Sequence, residues 1–163
     1  MKNKLEAGIL LHEIADRSSP KLLSVDLHLS NPGKVVFVFN ETMDATPQEE
    51  FVYLNKIFLS NSLTNLSDTS LSLVGCSVVQ LDGTSITVNL LESTRAKALE
   101  RSNTPGGDNT ELKLDILEGA LVDLMMNNVI HSFGHKIVEH ADEVRPGILG
   151  ISLDFSTGIL TVN

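Results

Sequence analysis

Tryptophan is absent from this chain, and tyrosine and cysteine occur once each, as Tyr53 and Cys76. With so few flat aromatic side chains, platforms on which a sugar face could stack are scarce. A lone cysteine closes no internal disulfide, which removes the disulfide-framed miniproteins but leaves the compartment open, because a sandwich of this size needs no disulfide. No apolar run approaches the roughly 20 residues that a membrane-spanning helix requires. Lys2 and Lys4 precede a small apolar cluster, Ala7 to Leu11, but His12 and Glu13 end it below the roughly 7 to 15 residues of a secretory h-region, and no small-residue cleavage site follows. Any export signal is therefore expected outside this sequence. Basic residues are in the minority, and the net charge of −9 repels phosphate backbones and anionic lipid. No basic, aromatic-interleaved patch offsets it, so nucleic acid is not an expected partner.

What remains is globular in composition: 163 residues, 42% hydrophobic and 20% charged, enough for one domain with an appendage. The chain also repeats itself. "EIADRSSP" (13 to 20) returns as "EHADEVRP" (139 to 146), with Glu13, Ala15, Asp16 and Pro20 matched by Glu139, Ala141, Asp142 and Pro146 at an offset of 126 residues. "KLLSVDLHLS" then lies over "GILGISLDFS", and one deletion aligns "GKVVFV" from Gly33 with "GILTVN" from Gly158. Both copies read as linker, strand, turn, strand. Repeats of roughly 20 to 50 residues mark solenoids, and a much longer period marks whole domains in series. The expected organisation is the tail and linker of a preceding repeat (1–19), one complete module (20–143), and the first strands of a following, truncated repeat (144–163).

Inside the module the apolar residues recur with period two. Leu23, Val25, Leu27 and Leu29 are expected on one face of a first strand, and Val35, Phe37 and Phe39 on one face of a second. Asp82-Gly83, between β-rich runs in 73–90, is the signal for a hairpin with a type I′ turn. "STRAKALERSN" (93–103) favours a short helix capped by Ser93 or Thr94 and ended by Pro105-Gly106-Gly107. "ELKLDIL" (111–117) and "GHKIVEH" (134–140) resume as strands. The predicted fold is all-β: a two-sheet, immunoglobulin-like β-sandwich of about seven strands with one short helical crossover.

A more specific pattern lies at "FVFNETMDATP". Phe39, Glu41, Met43, Asp44 and Thr46 follow F-x-E-x-M/V-D-x-S/T, and "VDLMMNN" supplies Asp123, Leu124 and Asn127 of a downstream D-L-x-G-N, with Met126 at the usual glycine. In these motifs and their order the chain resembles the bacterial-type immunoglobulin-like domains of the S-layer kind, in the tandem form found in very large surface proteins. The resemblance covers about 120 residues and implies an extracellular or cell-surface structural protein. It requires no chemistry of Glu41 or Asp44, which leave a strand for a turn in which an Asx side chain bonds its own backbone; an acidic cation site is the sharper alternative.

Catalysis finds no candidate residues: there is no G-x-S-x-G, Cys76 sits in an apolar segment as a small core residue, and "NTPGGDNT" (103–110) lacks the lysine of a phosphate loop. No enzyme is expected. His131, His135 and His140 suggest zinc, but in extended chain residues four apart stand about 13 Å from one another, so edge-strand histidines are the simpler expectation. Glu139, Asp142 and Glu143, with their copies Glu13 and Asp16, place carboxylates at a joint between modules and are candidate calcium ligands, a solvated linker being the ordinary alternative. Asn40 and Asn65 begin glycosylation sequons. The expected function is structural, giving length, stiffness and self-association into a filament or appendage, with neighbouring repeats or identical chains as partners. The alternative is an adhesin module whose end loops bind a glycan or a protein ligand.

Overall fold

The computed structural model describes residues 14–61, 70–79, 81–145 and 147–162. Strands β1 (Leu22–His28) and β2 (Lys34–Asp44) open the module, and helix α1 (Gln48–Phe51) leads to β3 (Ile57–Ser60). There follow β4 (Leu71–Ser72), β5 (Ser77–Val78), β6 (Gly83–Asn89), helix α2 (Glu92–Glu100), β7 (Lys113–Ile116), β8 (Val122–Asp123), β9 (Ser132–Lys136) and β10 (Val138–His140). Beyond a linker come β11 (Ile151–Asp154) and β12 (Ile159–Val162).

The module is mostly β and layers into two sheets, in agreement with the predicted all-β sandwich. One sheet runs β10-β1-β2-β6-β5, with β8 added on β2; the other runs β4-β3-β7-β9. Alternation places Val25, Leu27 and Leu29, then Val35, Phe37 and Phe39, then Ile86 and Val88 on the inner face of the first sheet. Ile57, Leu59, Leu114 and Ile116 supply the second, and all are buried in one cluster. Each such side chain contributes about 1.5–3 kcal/mol by leaving water, which is why the alternating pattern selects this packing. Cys76 is buried in the same core. Asp115 is buried too, with its carboxylate accepting from the Ser60 hydroxyl at 2.6 Å and the Gly134 N–H at 2.8 Å.

Several expectations need correction. Leu23 is 64% exposed, because the β1–β2 register shifts between Leu22 and Ser24 and such a slip turns side chains to the other face. Gly83 has no positive φ and opens β6, so Asp82-Gly83 is not a type I′ turn. Asp82 instead points across the sheet end, accepting from the Ala45 N–H and the Thr46 hydroxyl. Helix α2 begins at Glu92 after Leu91, with no side-chain cap from Ser93 or Thr94, and ends at Glu100. Residues 134–140 do not form one strand. The chain breaks at buried Ile137, leaving β9 in the second sheet and β10 in the first, where it runs parallel to β1.

Candidate functional site

Two features distinguish the ends of the module: the linkers that enter and leave it, and the hairpin beyond. The pairing register of the hairpin repeats that of β1–β2. In β1–β2 the partners are Val25↔Phe37, Asp26↔Val36, Leu27↔Val35 and His28↔Lys34. In β11–β12 they are Ile151↔Val162, Ser152↔Thr161, Leu153↔Leu160 and Asp154↔Ile159. Under the sequence alignment these are the same pairs. The burial is opposite, however. Val25, Leu27, Leu29, Val35 and Phe37 are at most 1% exposed, whereas their counterparts Ile151, Leu153, Phe155, Leu160 and Val162 are 47–91% exposed. β11 and β12 form a two-stranded sheet of their own.

The linkers match in the same way. Asp16 Oδ1 accepts the N–H of Ser18 at 2.8 Å, and Asp142 Oδ1 accepts the N–H of Val144 at 3.0 Å, so the same Asx turn forms in both copies. On the exit side the linker is fastened to the module. His140 O accepts the Leu29 N–H, and the Ser30 hydroxyl donates to Ala141 O and accepts from the Glu143 N–H. Arg95, on α2, is the centre of this fastening: Nη1 donates to Leu29 O at 2.7 Å and to Asp142 Oδ2 at 2.9 Å, while Nε and Nη2 grip Glu92. Those bonds to Glu92, and then the one to Asp142, hold the guanidinium firmly in its charged form. Gly33 makes this possible, since a Cβ there would lie 2.6 Å from Arg95 Cγ.

On the entry side the linker meets an acidic corner. Asp16, Glu41 and Asp123 each bring a carboxylate oxygen within 4.8 Å of the others. Asp123 is buried and closes a turn: Oδ1 accepts the Met125 and Asn127 N–H groups and Oδ2 the Asn127 side chain. These bonds hold Met126 at φ 66°, the conformation for which glycine is usual at this place. Burial, with Asp16 and Asp123 nearby, raises the Glu41 carboxyl above the ordinary range. The bond from the Ser18 N–H lowers Asp16.

Of the three carboxylates singled out in the exit linker, Glu139 and Asp142 have hydrogen-bond partners within the protein. Glu139 ties the 103–112 loop back to β10, its Oε1 accepting the Leu112 N–H and its Oε2 the Asn103 N–H. Asp142 is taken by Arg95, and Glu143 is exposed. Among the described residues the acidic group that gathers is Asp16, Glu41 and Asp123 instead; Glu13 lies outside the described residues. Asp44 forms the expected Asx turn, accepting the Thr46 N–H. Asn40 is exposed with its amide oxygen accepting the Lys21 N–H, and Asn65 lies outside the described residues. The three histidines do not gather: His140 stacks on His28 at 4.3 Å and contacts Asp26, while His135 lies on β9. Sequence reasoning missed Arg95, whose signal was the i, i+3 pairing with Glu92 on a short helix.

Fold and site together define an all-β sandwich with a fastened segment after β10 and a separate exposed hairpin, β11–β12, whose pairing register matches that of β1–β2. No protein-family model matches the sequence, and no curated protein matches it. Among solved structures the chain is similar to the N-terminal part of the bacterial S-layer protein SbsC, and to rSbsC(31-844), a longer piece of an S-layer protein. Each is 15% identical with a TM-score of 0.44 over 90% of this chain, which spans 31% of the first and 18% of the second. A likeness this distant assigns neither function nor partner. No helix among the described residues is long and apolar enough to cross a membrane.

Proposed function

We propose that this chain is a piece of a long cell-surface structural protein built from serial β-sandwich modules, whose work is to give length and stiffness. The observation that carries the reading is the repeated register of β11–β12 with its apolar face uncovered, which we read as an opening hairpin whose sandwich partners would come from a following unit. The repeated Asx turn in the linkers supports it. The cell-surface setting rests on the resemblance of "FVFNETMDATP" and "VDLMMNN" to the S-layer kind of immunoglobulin-like domain. Sandwich modules suit mechanical duty because sliding two strands apart along their length breaks many ladder bonds together, and serial copies extend the reach without a new fold.

Electron microscopy of the parent protein tests this. Serial modules predict a thin rod with an axial repeat of one sandwich, assembled into filaments or an appendage, whereas a compact particle contradicts it. Binding of the chain to a glycan or protein array, lost on changes in "NTPGGDNT", would favour the adhesin reading instead.

A further inference from the structure

We propose that consecutive modules are clasped by an arginine shared across the linker aspartate: Arg95 of one module, through Asp142, reaches the acidic corner of the module that follows. The inference rests on the serial reading above and names the contact between its units. Its basis is that one linker is seen from both sides. Asp16 and Asp142 are copies by sequence offset and by their Asx turns, with the same oxygen committed to the N–H two residues on. The 142 copy shows what the preceding module contributes, a guanidinium 2.9 Å from the other oxygen, with the arginine side chain 12% and the aspartate side chain 20% exposed. The 16 copy shows what the following module contributes: Glu41 and Asp123, each within 4.8 Å of the aspartate, and Asn127, whose amide donates to Asp16 O. The hydrogen bonds seen at the two copies use different atoms of the aspartate: the Asx turn takes Oδ1 in both, Arg95 takes Oδ2 of Asp142, and Asn127 takes the main-chain O of Asp16. Placed on one linker, they bring the Arg95 charge within about 10 Å of two further carboxylates, comparable to the Debye length of roughly 8–10 Å at moderate salt.

The acidic corner supports this occupant independently of the linker match. Glu41 is held above its ordinary pKa, burial first and then the two neighbouring aspartates being the causes, so it stands among negative charge that calls for a cation. A preceding copy supplies one already oriented: Arg95 is gripped on one side by Glu92, fixed to Leu29 O, and given room by Gly33. An arginine anchored in this way sets a direction as well as a charge, because its fork fixes the aspartate and hence the exit of the chain.

The test uses a polypeptide in which Asn163 is followed by a second copy of residues 39–143, so that β11–β12 can complete a sandwich. Cys76→Ser removes the native thiol, Thr84→Cys in each module carries a spin label, and pulsed electron spin resonance reads the distance between modules. A narrow distribution is expected, unchanged by added calcium or by a chelator. Arg95→Gln in the first module should broaden it toward the roughly 14 Å spread of a flexible tether as long as residues 141–146, and Arg95→Lys only in part. Glu41→Gln in the second module should broaden it as well. A broad distribution in the parent polypeptide with both modules folded, or indifference to Arg95→Gln, overturns the clasp while leaving the serial reading intact. Narrowing that appears only on adding calcium overturns it in favour of a metal at the acidic corner. Failure of β11–β12 to become protected from hydrogen exchange overturns the serial reading itself, and the clasp with it.

Discussion

Leu27 and Leu153 occupy the same place in two copies of one hairpin, each facing a partner one strand over, Val35 for Leu27 and Leu160 for Leu153. Their surroundings differ completely: Leu27 is 0% exposed and Leu153 is 47% exposed. Truncating Leu27 to alanine removes buried methyl groups and leaves a cavity between two sheets, at a cost of about 2–5 kcal/mol. Truncating Leu153 forfeits only the part of its transfer energy that the folded chain realises, about 1 kcal/mol or less when full burial is worth about 1.5–3 kcal/mol. Even that falls on a two-stranded hairpin, which is marginal by itself and opens without the module. Urea unfolding followed by far-ultraviolet circular dichroism and by Tyr53 fluorescence separates the two cases. With an m-value of about 1–3 kcal/mol/M, Leu27→Ala should lower the midpoint by on the order of 1–3 M and Leu153→Ala should leave it in place. An equal loss from both substitutions would refute the reasoning, since it would mean that β11–β12 packs into the same core as β1–β2.

Two further outcomes follow from local geometry. Met126→Gly should stabilise the module by about 1 kcal/mol, because a left-handed backbone costs an L side chain roughly 1–2 kcal/mol and glycine almost nothing, less what glycine loses in chain entropy; a drop in melting temperature would contradict this. Burial, the nearby His140 and Lys34 push His28 below the ordinary histidine value of 6.5 against an opposing pull from Asp26, and burial likewise lowers His135 against the pull of Asp115. A group with a depressed folded pKa is protonated first in the unfolded chain, so stability is intact above about 6.5 and falls as pH drops through the folded values. Melting curves between neutral and mildly acidic pH should show the loss, and His28→Gln with His135→Gln should flatten it; a stability that rises on acidification over that range would be contrary.

How much of this was legible in the residues varies from place to place. Period-two alternation is a direct imprint of the sandwich, so Val35, Phe37, Phe39, Ile86 and Val88 could be assigned to the core without coordinates. The β1 bulge could not, because a register shift depends on the partner strand and left Leu23 with the wrong face. The Asp82-Gly83 pair does lie between strands that pair antiparallel, β5 and β6, as the hairpin signal predicts, but Gly83 lacks the positive φ of a type I′ turn. Its aspartate finds better use bonding Ala45 and Thr46, residues 37 and 36 positions away in sequence. Two aspartates read as potential ligands, Asp44 and Asp142, are Asx-turn formers, each accepting the N–H two residues on, and Asp123 of the D-L-x-G-N pattern makes the same kind of bond. The acidic corner itself was visible only in pieces, since Asp16, Glu41 and Asp123 come from three distant segments that β2, its partner β8 and the entry linker draw together.

The central claim, that β11–β12 is the opening hairpin of another sandwich, is tested most directly by amide hydrogen exchange over residues 147–162, read by mass spectrometry. In the 163-residue chain these amides should exchange quickly, and in the polypeptide extended after Asn163 with a copy of residues 39–143 they should slow to match residues 21–37 of the first module. Equal exchange over 147–162 in the two chains would contradict the account.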